Sequence, residues 1–287
     1  MNSLFLPSIL ALGGLGLFFG AGLAYAARKF AVEVDPRVEK VLDILPGVNC
    51  GACGQPGCSA YAEAVVAGRV PPNQCAPGGP EVTSKIAQIL GITGVEAAEA
   101  KVAVVCCQGG RSIAEEKFDY SGLEDCRAAE LIGGGSKACR FGCLGLGSCV
   151  RACPFDAMVM TEEGLPRVLE DKCTACGICV TTCPRGIMQL IPKEQKVYLG
   201  CVSQDRAKAV KSVCKVGCFA CKICAMPKVS PSGSIVMEGN LPEIKSPFSD
   251  ELFLAYKKCP SKSYVLRGEL PDSITEAQDE KGSKADG

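Results

Sequence analysis

Cys173-Thr174-Ala175-Cys176-Gly177-Ile178-Cys179-Val180-Thr181-Thr182-Cys183-Pro184 is the stretch on which the reading of this chain turns. Three thiolates, each three residues from the next, wrap one iron–sulfur cube, while a fourth that precedes proline turns away to ligate a second. Such a run needs a partner elsewhere. Cys139-x3-Cys143-x5-Cys149-x3-Cys153-Pro154 lies upstream at the distance expected of a pseudo-twofold βαβ repeat.

Crossing the ligands places one cube on Cys153, Cys173, Cys176 and Cys179, and another on Cys139, Cys143, Cys149 and Cys183. Leu146 stands where a regular run has its middle cysteine. Either Cys139 supplies the missing bond or that cluster is a three-iron form. A closed tetrahedral zinc site has no use for crossed Cys-Pro ligands.

Working downstream, Cys214-x3-Cys218-x2-Cys221-x2-Cys224 aligns with Cys139-x3-Cys143-x5-Cys149, both reading Cys-basic-x-Gly-Cys, so the chain repeats itself. In a complete second copy one cube would sit on positions 218, 221, 224 and 259 and the other on 228, 249, 252 and 255. Cys218, Cys221, Cys224 and Cys259-Pro260 are present, but Lys228, Ser249, Leu252 and Ala255 occupy the other four positions. All ligands of one cube are kept and all of the other are gone, which predicts one cluster in this module.

Upstream, Cys50-x2-Cys53-x4-Cys58-x16-Cys75 is set among Gly51, Gly54, Pro56 and Gly57, which let the backbone fold tightly round a cube. Zinc on four thiolates satisfies the same ligand count; the neighbouring runs favour the cluster. Asp35-Pro36 reads as a helix start, with Val38, Val41, Leu42 and Leu45 on one face and Pro46-Gly47 as its end. Residues 61–68 and 80–90 also read as helical, residues 101–105 as a strand and Gly133 to Gly135 as a loop.

Residues 4–27 contain no charge and are closed by Arg28 and Lys29. That length crosses a hydrocarbon core of about 30 Å. No basic residue precedes the apolar stretch, so it reads as a retained anchor rather than a cleaved signal. The basic pair places the remainder in the cytoplasm, where reducing conditions suit clusters and oppose disulfides. Gly13, Gly16 and Gly20 form a small-residue stripe of the kind that lets another helix approach.

Composition narrows the chemistry further. The 287 residues include 21 cysteines and 33 glycines but no histidine and no tryptophan. Histidine-ligated heme, Rieske clusters, Cys/His zinc sites and imidazole catalysis are therefore excluded. The 31 basic and 31 acidic residues are spread along the chain, which gives no footprint for nucleic acid. Cys106, Cys107, Cys126, Cys201 and Cys214 are left over. They read as buried free thiols, with a further cluster or a redox-active pair as the competing reading.

Several segments together resemble one family: the anchor, Asn49-Cys50-Gly51-Ala52-Cys53-Gly54-Gln55-Pro56-Gly57-Cys58, Asp125-Cys126-Arg127-Ala128-Ala129, Gly142-Cys143-Leu144-Gly145-Leu146-Gly147-Ser148-Cys149 and Cys201-Val202-Ser203-Gln204-Asp205. The chain is similar over nearly its whole length to the B subunit of the Rnf complex, the membrane ferredoxin:NAD oxidoreductase that couples electron flow to Na⁺ or H⁺ pumping. The resemblance implies that Leu146 is normal for the family and that reduced ferredoxin is the donor. It also implies that electrons leave toward flavin- and cluster-bearing membrane and peripheral subunits.

The expectation is thus an α+β protein at the inner membrane with most of its mass in the cytoplasm. Its parts are an anchor (residues 1–29), a small helical [4Fe-4S] domain (34–92), a two-cluster ferredoxin-like domain (101–198), a degenerate one-cluster module (199–268) and a polar, disordered tail (269–287). Residues 95–100 read as a linker. Four [4Fe-4S] clusters are expected, with no catalytic site beyond electron relay. A membrane-tethered redox sensor, or reducing partner of a regulatory protein, is the alternative function.

Overall fold

The computed structural model describes residues 5–30, 35–96 and 98–268. The tail expected over residues 269–287 lies outside the described residues. Helix α1 (Phe5–Lys29) is uncharged until Arg28 and Lys29 in its last turn. Among the described residues it is the one helix long and apolar enough to cross a membrane, and its span Ile9–Lys29 is nowhere buried against the rest of the chain.

Three helices follow: α2 (Pro36–Ile44), α3 (Cys58–Val66) and α4 (Gly79–Leu90). Asp35 caps α2 by accepting the Arg37 amide at 2.8 Å, and proline follows it at the first helical position, where its missing N–H costs nothing. Gly91, at φ +67°, closes α4 in the left-handed conformation that glycine adopts freely. Val41, Tyr61, Ala62, Val65 and Ile86 form the core between them. One expected face is corrected. Leu42 is 39 % exposed whereas Ile44 joins that core, because a face built on Val38, Val41 and Leu45 leaves position 42 at its edge.

The next stretch runs β1 (Lys101–Val105), α5 (Cys126–Leu131), α6 (Ser148–Arg151), β2 (Met158–Met160), β3 (Pro166–Val168), α7 (Ile178–Thr182) and β4 (Met188–Pro192). A similar order recurs in β5 (Val197–Leu199), α8 (Ala207–Val213), a 3-10 turn (Ile223–Ala225), β6 (Ile235–Glu238), β7 (Leu241–Ile244), α9 (Glu251–Lys258) and β8 (Tyr264–Leu266).

Strands pair antiparallel in both stretches: β1 with β4 and β2 with β3, then β5 with β8 and β6 with β7. The βαβ expectation holds for chain order but not for pairing. Each outer strand instead pairs antiparallel with the far outer strand, β1 with β4 and β5 with β8.

Alternation along β1 continues into the two cysteines that follow it. Val102, Val104 and Cys106 pack into one cluster with Ile191, whereas Ala103, Val105 and Cys107 pack into the cluster of Met158, Ile187 and Met188. Two adjacent cysteines are thereby sent to opposite faces.

The second stretch explains its missing ligands. Leu252 and Ala255, at two of the four replaced cysteine positions, are 2 % and 0 % exposed and pack with Val229, Ile235 and Phe253. Hydrocarbon fills the place where those ligands would have stood.

Candidate metal centres

In the first cysteine group, Asn49 sits at φ +51° and its Oδ1 accepts the Cys58 amide at 2.8 Å, which fixes Cys58 at the start of α3. Burial pushes the Cys75 thiol up, and the neighbouring Cys50, Cys58 and Cys53 thiols push it further. Cys50, Cys53 and Cys58 are thus all close enough to act on Cys75. Cys53, Cys58 and Cys75 pack against the core of Val41 and Ile86.

The second group lines one cavity with Cys153, Cys173, Cys176 and Cys179. The Ala103 amide donates to Cys173 Sγ at 3.5 Å, which ties β1 to this cavity wall. Thr174 also lines it, and its hydroxyl is buried with no hydrogen-bond partner. An orphaned donor beside a cavity of thiols fits a sulfur-rich group bound there.

The third group departs from expectation. The cavity lined by Cys143, Cys149 and Cys183 is completed by Cys126, and Cys139 lines a different cavity. The local cause lies in Asp125 and Ser148. Asp125 Oδ1 accepts the Arg127 and Ala128 amides at 2.9 and 3.0 Å, starting α5. Ser148 Oγ donates to Asp125 Oδ2 at 3.0 Å and accepts the Cys126 amide at 2.8 Å. Ser148 precedes Cys149, so the same clamp seats both cysteines.

Burial raises the Cys149 thiol to about 11, with Cys126 and Cys183 adding to the shift. Spacing alone misses Cys126 because a side chain delivered to the cavity by a separate helix carries no spacing signal. Its mark in the chain is a capping aspartate directly before a cysteine.

The fourth group lines a cavity with Cys218, Cys221, Cys224 and Cys259, as expected. The Ser263 amide donates to Cys259 Sγ at 3.4 Å. Tyr264, 3 % exposed, has a buried hydroxyl that meets no partner in good hydrogen-bonding geometry and stands against the Cys224 thiol. Cys218 is raised to about 12, first by burial.

Burial favours the uncharged thiol, whereas iron coordination demands thiolates. In each group a cluster would supply the positive charge that the surroundings lack. In the second and fourth groups the donor set, four sulfurs round a cavity with an amide donating to one of them and an orphaned hydroxyl nearby, fits a cluster. Among the described residues no three His, Cys, Asp or Glu side chains converge on a point that could hold a single metal ion.

Comparison with known proteins bears on the same segments. A family model described as a putative Fe-S cluster matches residues 45–77, and one for a 4Fe-4S dicluster domain matches residues 140–190. The chain is 45 % identical over 218 residues to the B subunit of the Na(+)-translocating ferredoxin:NAD(+) oxidoreductase complex of Acetobacterium woodii, a match covering 76 % of this chain and 65 % of that protein. It is 40 % identical over 267 residues to the B subunit of the ion-translocating oxidoreductase complex of Methanosarcina acetivorans, covering 93 % and 100 %. With the B subunit of the proton-translocating ferredoxin:NAD(+) oxidoreductase complex of Clostridium ljungdahlii it shares 44 % over 205 residues, covering 71 % and 72 %.

Proposed function

The chain belongs to the family of B subunits of ion-translocating, Rnf-type oxidoreductase complexes, and on that premise we propose that it is the membrane-anchored relay of such a complex, passing electrons from reduced ferredoxin toward flavin-bearing partner subunits and NAD. The observation that carries this reading is the succession of cysteine groups. Burial raises the Cys176 thiol, and Cys50 from the first group is close enough to raise it further. Cys149 of the third group acts in the same way on Cys179 of the second. The first, second and third groups therefore follow one another, Cys149 and Cys179 packing in one core with Met158 and Met188, as a relay requires.

A [4Fe-4S] cluster held by each group supplies one-electron, outer-sphere transfer. The chain's residues hold the cluster, keep water away and direct amide and hydroxyl donors at sulfur. In this reading Cys50, Cys53, Cys58 and Cys75 hold one cluster, Cys153, Cys173, Cys176 and Cys179 a second, and Cys218, Cys221, Cys224 and Cys259 another. Cys143, Cys149 and Cys183 take Cys126 as their fourth ligand in place of Cys139. Hydride chemistry on NAD falls to a flavin-bearing partner, because a one-electron carrier cannot donate hydride.

The segments 34–92, 101–198 and 199–268 then act as successive modules on the cytoplasmic side of the inner membrane, with α1 as the anchor. The recurring strand pairing supports ferredoxin-like modules in the second and third. The test is to add reduced ferredoxin anaerobically to the full chain in detergent. Oxidation of the ferredoxin with reduction of the chain's clusters is expected, together with membrane subunits that copurify from native membranes. Inert clusters and a soluble regulator as the copurifying partner would overturn the relay in favour of the tethered sensor.

A further inference from the structure

We propose that Cys107, Cys139, Cys201 and Cys214 hold a fifth [4Fe-4S] cluster, shared between the two strand-containing halves of the chain. The proposal rests on the iron–sulfur reading above and assigns residues that no spacing rule collects. These four cysteines line one cavity, whose walls include Gly109, Gly142 and Gly217. A Cβ at Gly109 would stand 3.0 Å from Ala114 Cβ, 3.5 Å from Cys214 Sγ and 3.8 Å from Cys107 Sγ, so both sulfurs border the same glycine.

The site is built the same way from each half. Cys107 follows β1 and Cys201 follows β5. Cys139 and Cys214 each open a Cys-basic-x-Gly-Cys segment. The amide of the second cysteine in that segment donates back to the post-strand cysteine: Cys143 to Cys107 Sγ at 3.4 Å, and Cys218 to Cys201 Sγ at 3.4 Å. These bonds are of the kind that Cys173 and Cys259 receive in the groups already described. Amide donors at sulfur stabilise thiolate and tune a cluster bound to it.

Mutual proximity closes the set. Burial is the main influence on Cys201, with Cys107 and Cys139 acting next among the thiols; on Cys107 the neighbouring thiols are Cys139 and Cys214. The two halves are also fastened here, by a backbone bridge between Ala114 and Cys214 and by the ion pair of Arg140 with Asp205 at 2.6 Å. Cys106 touches the same cavity but packs in the core of Val102, Val104 and Ile191, which assigns it as the single unligated thiol.

The position also has a use. Cys107 adjoins Cys143 of the third group, and Cys201 adjoins Cys218 of the fourth. A cluster here joins the C-terminal group to the central pair, extending the succession without a gap.

Iron and acid-labile sulfide per chain, on anaerobically prepared full-length protein, test this, with native mass spectrometry counting intact clusters. About twenty of each and five clusters are expected in the unaltered chain. Cys201→Ser with Cys214→Ser should lower both to about sixteen, while Cys106→Ser should leave about twenty. Four clusters in the unaltered chain would overturn the fifth site and leave the relay standing, whereas zinc or about eight irons would overturn both. Should the double variant not fold, the count on the unaltered chain still decides.

Discussion

Arg267 grips Glu170 with two parallel bonds, Nε to Oε1 at 2.7 Å and Nη2 to Oε2 at 2.5 Å. The guanidinium also donates to the Gln195 carbonyl at 2.7 Å, and its side chain is 8 % exposed. This forked pair ties the residue after β8 to the loop after β3, and so fastens the last module to the central one. Glu170→Gln leaves the guanidinium buried against a neutral partner. The glutamate is 47 % exposed, which places the cost between that of surface and buried pairs, about 1–2 kcal/mol. An anaerobic thermal melt should show a midpoint lower by about 2–8 °C.

Ligand exchange between the third group and the fifth site can be read by counting iron in paired variants. Cys126→Ser and Cys183→Ser remove ligands from the same cluster, so together they should cost about four irons, as either does alone. Cys139→Ser with Cys183→Ser should cost about eight, because those residues serve different clusters. The opposite pattern would restore Cys139 to the third group.

Tyr264→Phe removes one hydroxyl beside Cys224 and little else. A donor at sulfur stabilises the reduced, more negative cluster, so its loss should lower that reduction potential. The expected change is tens of millivolts, ~59 mV being tenfold for one electron. An anaerobic EPR-monitored titration measures it, and an unchanged potential would show that the hydroxyl does not reach the cluster's sulfurs.

Glu251, in the first turn of α9, accepts from Ser230 Oγ at 2.7 Å and from the Ser232 amide at 2.9 Å. The Ser230 bond is the main cause that holds its carboxyl down at about 2. A pKa depressed by folding contributes stability that is complete above the unfolded value of about 4.3 and is lost as pH falls toward about 2. Because cluster sulfide is acid-labile, the bond is read at neutral pH, where hydrogen exchange should show the 230–234 loop less protected in Glu251→Gln than in the unaltered chain.

Seating of Cys126 depends on Ser148, which bonds to both Asp125 and the Cys126 amide. Ser148→Ala should leave the backbone of α6 in place but free Cys126, making one cluster labile to chelator several-fold faster than the rest. Release of about four irons in a separate fast phase is the expected trace. Uniform release would argue against the clamp.

Much of this is legible in the sequence. The Cys173 to Pro184 run demands a crossed partner, the Cys50 to Cys75 run closes on itself, and the retained Cys218, Cys221, Cys224 and Cys259 line one cavity, as the loss of the other four positions leads one to expect. Each of these sets is declared by three closely spaced cysteines, because neighbouring ligands on one short loop must reach corners of the same cube. Helices α2 and α4 are legible for a similar reason: caps, proline and apolar period are local.

The sequence offers Cys139 to the third group and leaves Cys107, Cys126, Cys201 and Cys214 over, so how these five are grouped is not legible in it. Their grouping is set by which strand pairs with which and by a serine that clamps a distant helix start, and neither leaves a regular interval along the chain. Cysteine content and ligand spacing by themselves determined that this is an iron–sulfur chain with a candidate anchor at one end. Only the tertiary structure decided that Cys126 rather than Cys139 lines the cavity of Cys143, and that residues from two halves meet across one cavity. Bond geometry limits what adjacent residues can do, whereas packing alone chooses among thiols that lie far apart in the sequence.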